Sequence, residues 1–547
     1  MSVREQALTR LRRCDPATKK AGLTNGLAEQ ISASGVGFVA LGGPLEERWH
    51  QAVAELQQCV RPLAAKQPPV LLEGTDYPGC WLESTGTISA EVLYRFAPDT
   101  AQHTISVFAG HQRAGGLLPY KVTDEGPAFT QIQLVTPLAR SVWNHYRLHR
   151  PSRRWLQSMY SALGCADDWL ATFRDTRGTG CVEAFCTFDT GHDLSPRFWQ
   201  SPDRCLHGDA AQCDPEAVQM PYLAPDLTAH QMCQRSYLGR MAAELGEDPA
   251  EWRSRAEQSR RALFQRCFSR QDGTFYDVDA YGRWVRVLSD VLLRVLACEA
   301  GDDELFDAAL GRYLLHTAHF LSAGGLTSLS LSDPRYDSDY RRNSWAGPVN
   351  MLTQLRAPHA FEHHGRHAEL GLISRPVLSA LAAADRFCQC LDPHSGQAGH
   401  SSGYSPAMLW LLDAVERWFG VMPLPGDGLA FTSLAPTRLG GSLDAEAVAY
   451  SRTVGGHRFE LVSDDAGSSV HRSAEEILRF PRGWRVLTDA QGRPHTVVAV
   501  APHRVAGVLE AGGQTLQLSL EPNELVQLRD MRITGRSSPG FTAPNAA

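Results

Sequence analysis

The sequence predicts a mainly α protein, an all-helical domain followed by a smaller all-β domain. Three observations carry this. Between Glu46 and Gly420, apolar residues recur at helical spacing in roughly a dozen segments. After Pro423 the segments become short and β-branched, with turn residues at intervals of about ten. No run of about 18 apolar residues exists, so no membrane-spanning helix is expected.

Taken in order, residues 1–40 have weak periodicity and receive no assignment. The helical domain is placed at 41–422. Its clearest segments begin at Trp49, Ala90, Ala101, Pro137, Ala229, Val287, Arg375 and Ser405, and the last ends at Gly420 as a helix cap. Paired helices can form a bundle, a solenoid or a closed ring. No repeat of fixed period appears, which disfavours a solenoid. Aromatics, carboxylates and glycines crowd the loops, so binding at one end of a helical ring is favoured. Segments such as LAFTSLAP, HRFELVSD and HTVVAVAP place a β-sandwich-like domain at 423–538, with a loose tail at 539–547.

With 53 basic and 60 acidic residues among 547, the net charge is −7, and the signs are interspersed. A nucleic-acid partner, which needs a basic stripe, is not expected. A 43% hydrophobic content supports a large core. The 13 cysteines are odd in number and contain no C-x-x-C pair. Together with the charged start MSVREQALTRLRRCD, this predicts reduced thiols and a cytoplasmic location. Five cysteines between Cys181 and Cys233 raise a zinc site, but lack the short paired spacing such sites use. No metal or other cofactor is expected, and the oligomeric state is left open.

The densest polar cluster is CVEAFCTFDTGHDLSPRFWQ, Cys181 to Gln200. It sets Glu183, Asp189 and Asp193 among Phe188, Phe198 and Trp199, with Arg197 close by. Aromatic faces stack on sugar CH groups, and a carboxyl in apolar surroundings keeps its proton near neutral pH. Equally, Asp193 could cap the following helix. HAFEHH from His359 fits a zinc motif, but it sits at a polar helix end without an obvious third ligand. GHSSG from Gly399 fits a nucleophile elbow, but lacks the strand that elbow needs.

FDTGHDLSPRF resembles the tryptophan–glutamate–serine–glycine–x–aspartate–x–serine–proline–arginine signature of glycoside hydrolase family 63. Mannosylglycerate and glucosylglycerate hydrolases share this signature, and trehalases share it more loosely. Further pieces follow in the family's order: GCWLESTGTISAEVLYRF, GGLLPYKV, QDGTFYDVD, NSWAGPVN, LDPHSG and GYSPAM. Together they span about residues 75–420. The resemblance implies an (α/α)6 toroid and an inverting glycosidase of a small glycoside or oligosaccharide, with Asp193 as general acid. It places Trp81 and Trp345 as platforms, and Glu83, Gln133, Arg197 and Tyr404 as substrate contacts.

Two positions depart from the family. Gln389 stands where the family has its base glutamate, and Ala346 where it has an arginine. An amide is too weakly basic to activate water, so Gln389 is assigned to orienting water or holding a hydroxyl. Asp189, Glu83 and Asp392 become the candidates for a relocated base, with Asp189 the second catalytic residue. Asp392 also fits a turn before Pro393. Two other classes stay open. One is a carbohydrate-binding protein that lost hydrolysis. The other is a polysaccharide lyase using Tyr340 or Tyr404 as base, with Asn343 or Gln389 as the neutralising amide.

Overall fold

A computed structural model describes residues 2–13, 26–129, 135–426, 428–434 and 444–546. The helical region follows the apolar periodicity. Pro98–Gly110, Pro225–Leu245 and Ser405–Phe419 each carry proline in the first turn, where its missing N–H is not needed. Arg153–Phe173 begins at Ser152, whose hydroxyl accepts from the Trp155 N–H at 3.2 Å. Gly246, at a left-handed φ of 78°, closes Pro225–Leu245. Leu138–His149, Arg153–Phe173 and Ala250–Arg266 pack around that helix.

Every residue of Ser405–Phe419 is buried. Its charged residues, Asp413, Glu416 and Arg417, are buried in ion pairs with Arg95, Arg452 and Glu362 and with each other. The helix packs against Leu45–Leu56, Met351–His363 and His367–Ala383, and also against the strands Val421–Leu424 and Gly428–Ser433. It therefore couples the helical domain to a β-rich C-terminal region. Very short strands also tie loops together within the helical domain. Trp284–Val285, Asp277–Val278, Tyr222–Leu223 and Glu183–Ala184 form one antiparallel sheet that anchors the start of the acidic loop.

The β region contains two antiparallel sheets. One has six strands, all between Val421 and Ser537; the other has seven. Phe431 of the first meets Phe459 of the second at 5.8 Å between ring centroids, within the main core. The seven-stranded sheet takes its edge from the other end of the chain. Gly37–Leu41 pairs with Ala447–Val454 from Gly37↔Ser451 to Leu41↔Ala447. The helix Val3–Arg13 buries Ala7 and Leu11 against that sheet. Val3–Arg13 and Gly37–Leu41, from or overlapping the segment left unassigned from sequence, thus complete the β region.

The tail expected to be loose is fastened to the helical domain. Asn545 exchanges backbone hydrogen bonds with Leu315 and Thr317 at 2.8 and 3.0 Å, and Thr542 N–H donates to Glu369 at 2.8 Å. Buried charges at the junction are paired. Glu416 accepts from Arg95 at 2.5 Å, from the Tyr450 hydroxyl at 3.0 Å, and from Arg452. Among the described residues no helix is long and apolar enough to cross a membrane, and the described cysteines are free thiols.

Candidate active site

Loops of the helical domain enclose a cavity of about 160 Å³. That is room for roughly five waters, or one sugar ring. Its walls carry three carboxyl groups, Glu73, Glu83 and Asp193, and four aromatics, Tyr77, Trp81, Tyr120 and Trp345. The amides of Asn343 and Gln389, the hydroxyl of Ser84 and the ammonium of Lys121 complete its polar lining. Five sequence-predicted residues therefore converge here: Trp81, Glu83, Asp193, Trp345 and Gln389. Gln133 lies outside the described residues.

Asp193 follows the short turn Thr187–Thr190, which Gly191 closes at φ 68°. Ser195, not Asp193, caps the next turn, accepting from the Arg197 N–H at 3.4 Å. The capping alternative for Asp193 is thereby removed. Its carbonyl accepts from the Trp345 N–H at 3.0 Å, and its Oδ2 accepts from the Asn343 amide at 2.5 Å. Its Oδ1 is buried with no hydrogen-bond partner among the described residues. Burial pushes this carboxyl up to about 7, helped by the nearby Glu73 charge and opposed by the Asn343 hydrogen bond. It therefore holds a proton near neutrality, as a general acid must.

Glu73 is the functional candidate that sequence reasoning passed over. Its run, VLLEGTDYP, is an apolar strand ending in an acid and matches no chemical pattern. Its backbone is pinned at both ends: its N–H donates to Gly79 and its carbonyl accepts from the Ser405 N–H, each at 2.9 Å. The Tyr404 hydroxyl donates to Oε1 at 2.8 Å. Gly74 permits this close approach, because a Cβ there would lie 2.9 Å from the Gly403 carbonyl oxygen. Glu73 is 6% exposed, and burial pushes it up to about 7 against the pull of hydroxyl hydrogen bonds. Tyr404, expected to contact substrate, instead stands behind Glu73, fully buried.

A chain of hydrogen bonds links the acid to Gln389. Asn343 donates to Asp193 and accepts from Gln389 Nε2 at 3.0 Å. The Tyr77 hydroxyl donates to Gln389 Oε1 at 3.2 Å and lies 2.8 Å from His400 Nε2, which donates to it in the matching tautomer. Ser401, the elbow serine, accepts from the Gln389 backbone N–H at 3.1 Å. Replacing Asn343 by Ala should move the Asp193 titration upward, because the bond that favours the charged form is lost. The basic limb of the pH–activity profile then shifts to higher pH, with a fall in kcat of about 10-fold from the unaimed carboxyl.

The remaining expected residues fall into two groups. Glu83 faces the cavity while paired with Arg294 at 3.3 Å and with Arg356. Trp345 stacks on His192 at 4.7 Å, with the Arg294 guanidinium 4.8 Å from its ring. Lys121 lies 5.6 Å from the Trp81 ring. Asp189 and Arg197, by contrast, do not line the cavity. Asp189 binds Arg174 at 2.5 Å and accepts from the Phe185 N–H at 2.7 Å. Its charge fixes the loop rather than meeting substrate.

Arg197 is fully buried. It makes paired hydrogen bonds to Asp226 at 2.9 and 3.0 Å and to Asp277 at 2.7 and 2.7 Å. Both donor edges are occupied, leaving nothing for a ligand. Asp392 accepts from the His394 N–H at 2.7 Å, the turn role foreseen for it.

The metal-like motifs also separate. His359 pairs with Glu91 at 2.6 Å, Glu362 with Arg417 at 2.5 Å, and His364 with Asp303 at 2.7 Å. Among the described residues, one group of possible metal donors comes together: Cys186, Asp189 and Cys205. Arg174 already places a guanidinium there, 2.5 Å from Asp189 and 3.5 Å from the Cys205 sulfur. A cation is already supplied by the protein at that spot.

Proton-holding carboxyls and aromatic walls round a sugar-sized space in a helical frame make a site suited to a glycoside hydrolase. Residues 77–405 match the mannosylglycerate hydrolase MGH1-like glycoside hydrolase domain, and the chain belongs to that family. It is a glycosidase, and its substrate is a carbohydrate.

Solved structures show the same fold. The GH63 mannosylglycerate hydrolase from Thermus thermophilus, in complex with glucose, aligns at a TM-score of 0.56 and 17% identity, covering 67% of this chain and 99% of that one. The neutral trehalase Nth1 from Saccharomyces cerevisiae aligns at 0.51 and 13% identity, covering 64% and 73%. A protein described as a sialidase aligns at 0.63 and 13% identity, covering 88% of this chain and 44% of its own. Among curated proteins no match is found.

Proposed function

We propose that the protein hydrolyses a small glycoside by an inverting mechanism within an (α/α)6 toroid, with Asp193 protonating the departing oxygen. The observation that carries this is a proton-retaining carboxyl on the wall of an aromatic-lined cavity. Trp81 and Trp345 would bear on the sugar face, while Glu83, Asn343 and Gln389 would take its hydroxyls. The cavity volume favours one sugar with a small aglycone over a polymer. Lys121, the cation among the described lining residues, suits an anionic aglycone such as glycerate, which the name of the Thermus relative includes. The lyase reading has less support, since Tyr404 donates to Glu73 and Tyr340 to Gln397 at 3.0 Å, and neither lines the cavity.

The test is to offer mannosylglycerate, glucosylglycerate and trehalose and to follow the released sugar by proton NMR. Release of the inverted anomer from at least one of them is expected. Retention of configuration would overturn inversion, and an unsaturated product would overturn hydrolysis. Lys121→Met should raise KM for a glycosylglycerate about tenfold, the effect of about 1.4 kcal/mol, and leave KM for the matching glycosylglycerol unchanged.

A further inference from the structure

Hydrolysis with inversion needs a second carboxylate to take a proton from water, and the position that would supply it in related enzymes is here Gln389. We infer that Glu73 is the general base, acting across the cavity from Asp193. This rests on the glycosidase reading above.

The other carboxylates are excluded by their partners. Glu83 is held by Arg294 and Arg356, which already engage its carboxylate. Asp189 is bound to Arg174 away from the cavity, and Asp392 is bound into a turn. Glu73 differs on each count. It lines the same cavity as Asp193, and no arginine or lysine is paired with it among the described residues. The hydroxyls of Tyr404 and Ser84 orient its carboxylate on the cavity wall. The backbone bonds to Gly79 and Ser405 hold it rigidly, as positioned chemistry requires.

The electrostatics agree with this division of labour. Burial raises both carboxyls, and the charge of Glu73 is the next largest influence that keeps the proton on Asp193. Two such groups in one field titrate as a pair, so that near neutrality one is ionised while the other is protonated. Arg294 also faces Asp193 and opposes this shift, while Asp203 adds to it. A neutral amide at 389 fits the same design. A fourth carboxylate there would stand beside Asn343 and crowd like charges around Glu73, Glu83 and Asp193.

The step balances. Water gives a proton to the Glu73 carboxylate as its oxygen bonds to the anomeric carbon. The bond from that carbon to the leaving oxygen breaks, and the leaving oxygen takes the Asp193 proton. Exchange with solvent then returns one proton to Asp193 and removes one from Glu73.

Glycosyl fluorides separate the two roles, because fluoride departs without a proton donor. With α-D-mannosyl and α-D-glucosyl fluoride as probes, Glu73→Gln should lose at least about 10²-fold in kcat on the fluoride and on the glycoside alike. Asp193→Asn should lose the glycoside but keep the fluoride within about 10-fold. Azide should restore fluoride consumption by Glu73→Ala and yield a glycosyl azide. Glu73→Asp serves should the amide variant not fold, and should retain reduced turnover.

If Glu73→Gln or Glu73→Asp matches the wild type while Asp193→Asn is inactive on glycosides, the base assignment is wrong and the glycosidase reading stands. If Asp193→Asn is also unimpaired, or if the wild type consumes neither glycoside nor fluoride, both readings fall together.

Discussion

Asp193→Asn is expected to lower kcat on glycosides with ordinary leaving groups by about 10²–10⁴-fold, the range that general acid catalysis supplies. The amide preserves the shape but has no proton of useful acidity. Trp81, Trp345 and Glu83, the proposed substrate contacts, remain on the cavity wall, so KM should change little. The pH profile gives a second readout. Two buried carboxyls, each pushed to about 7, predict a narrow bell centred near neutrality. Removing the acid should erase its basic limb.

The same substitution should stabilise the fold at alkaline pH. The folded state holds the Asp193 proton up to about 7, against a value of 3.8 for an unperturbed side chain. The native state therefore binds the proton more tightly, and stability is full below about 4 and lost as pH rises through 7. The penalty at pH 8 amounts to about 4 kcal/mol at most. Asparagine carries no such penalty. The variant should melt above the wild type at pH 8, with the difference vanishing near pH 4. An unchanged Tm at pH 8 would mean that Asp193 is solvated and not a poised acid.

Arg197→Ala is expected to damage stability rather than binding. Arg197 neutralises Asp226 and Asp277 in a site where all three side chains are almost fully buried. Removing the cation leaves two carboxylates unpaired in the interior, a loss of about 3–5 kcal/mol or more. Arg294, 3.5 Å from Asp226, compensates only in part. Urea unfolding should show the drop directly. A substrate-binding arginine would behave in the opposite way, with KM raised and the unfolding midpoint unmoved. The distinction matters because Arg197 lies in the signature loop itself. There it organises the loop from behind while Asp193 faces the cavity.

What could be read in advance was local. The helical segments from Leu45–Leu56 to Ser405–Phe419 each carry their own apolar stripe, proline start or glycine stop. The change to β texture after Pro423 is equally local. Asp193 was singled out as the expected acid by its place in FDTGHDLSPRF, in a loop that gathers acids and aromatics within twenty residues. Strands of two residues, such as Glu183–Ala184, leave no alternation to detect. Gly37–Leu41 could not be placed, since its partner, Ala447–Val454, lies at the other end of the sequence.

The sequence alone determined the two kinds of secondary structure and their order along the chain, because each depends on neighbours in the chain. Tertiary structure alone decided which charges are available for chemistry. Glu73, Asp189 and Arg197 look alike as letters, yet a guanidinium occupies Asp189, two carboxylates occupy Arg197, and Glu73 faces an open cavity. Whether a buried charge is neutralised depends on groups brought close by folding, and separation along the chain says nothing about that distance.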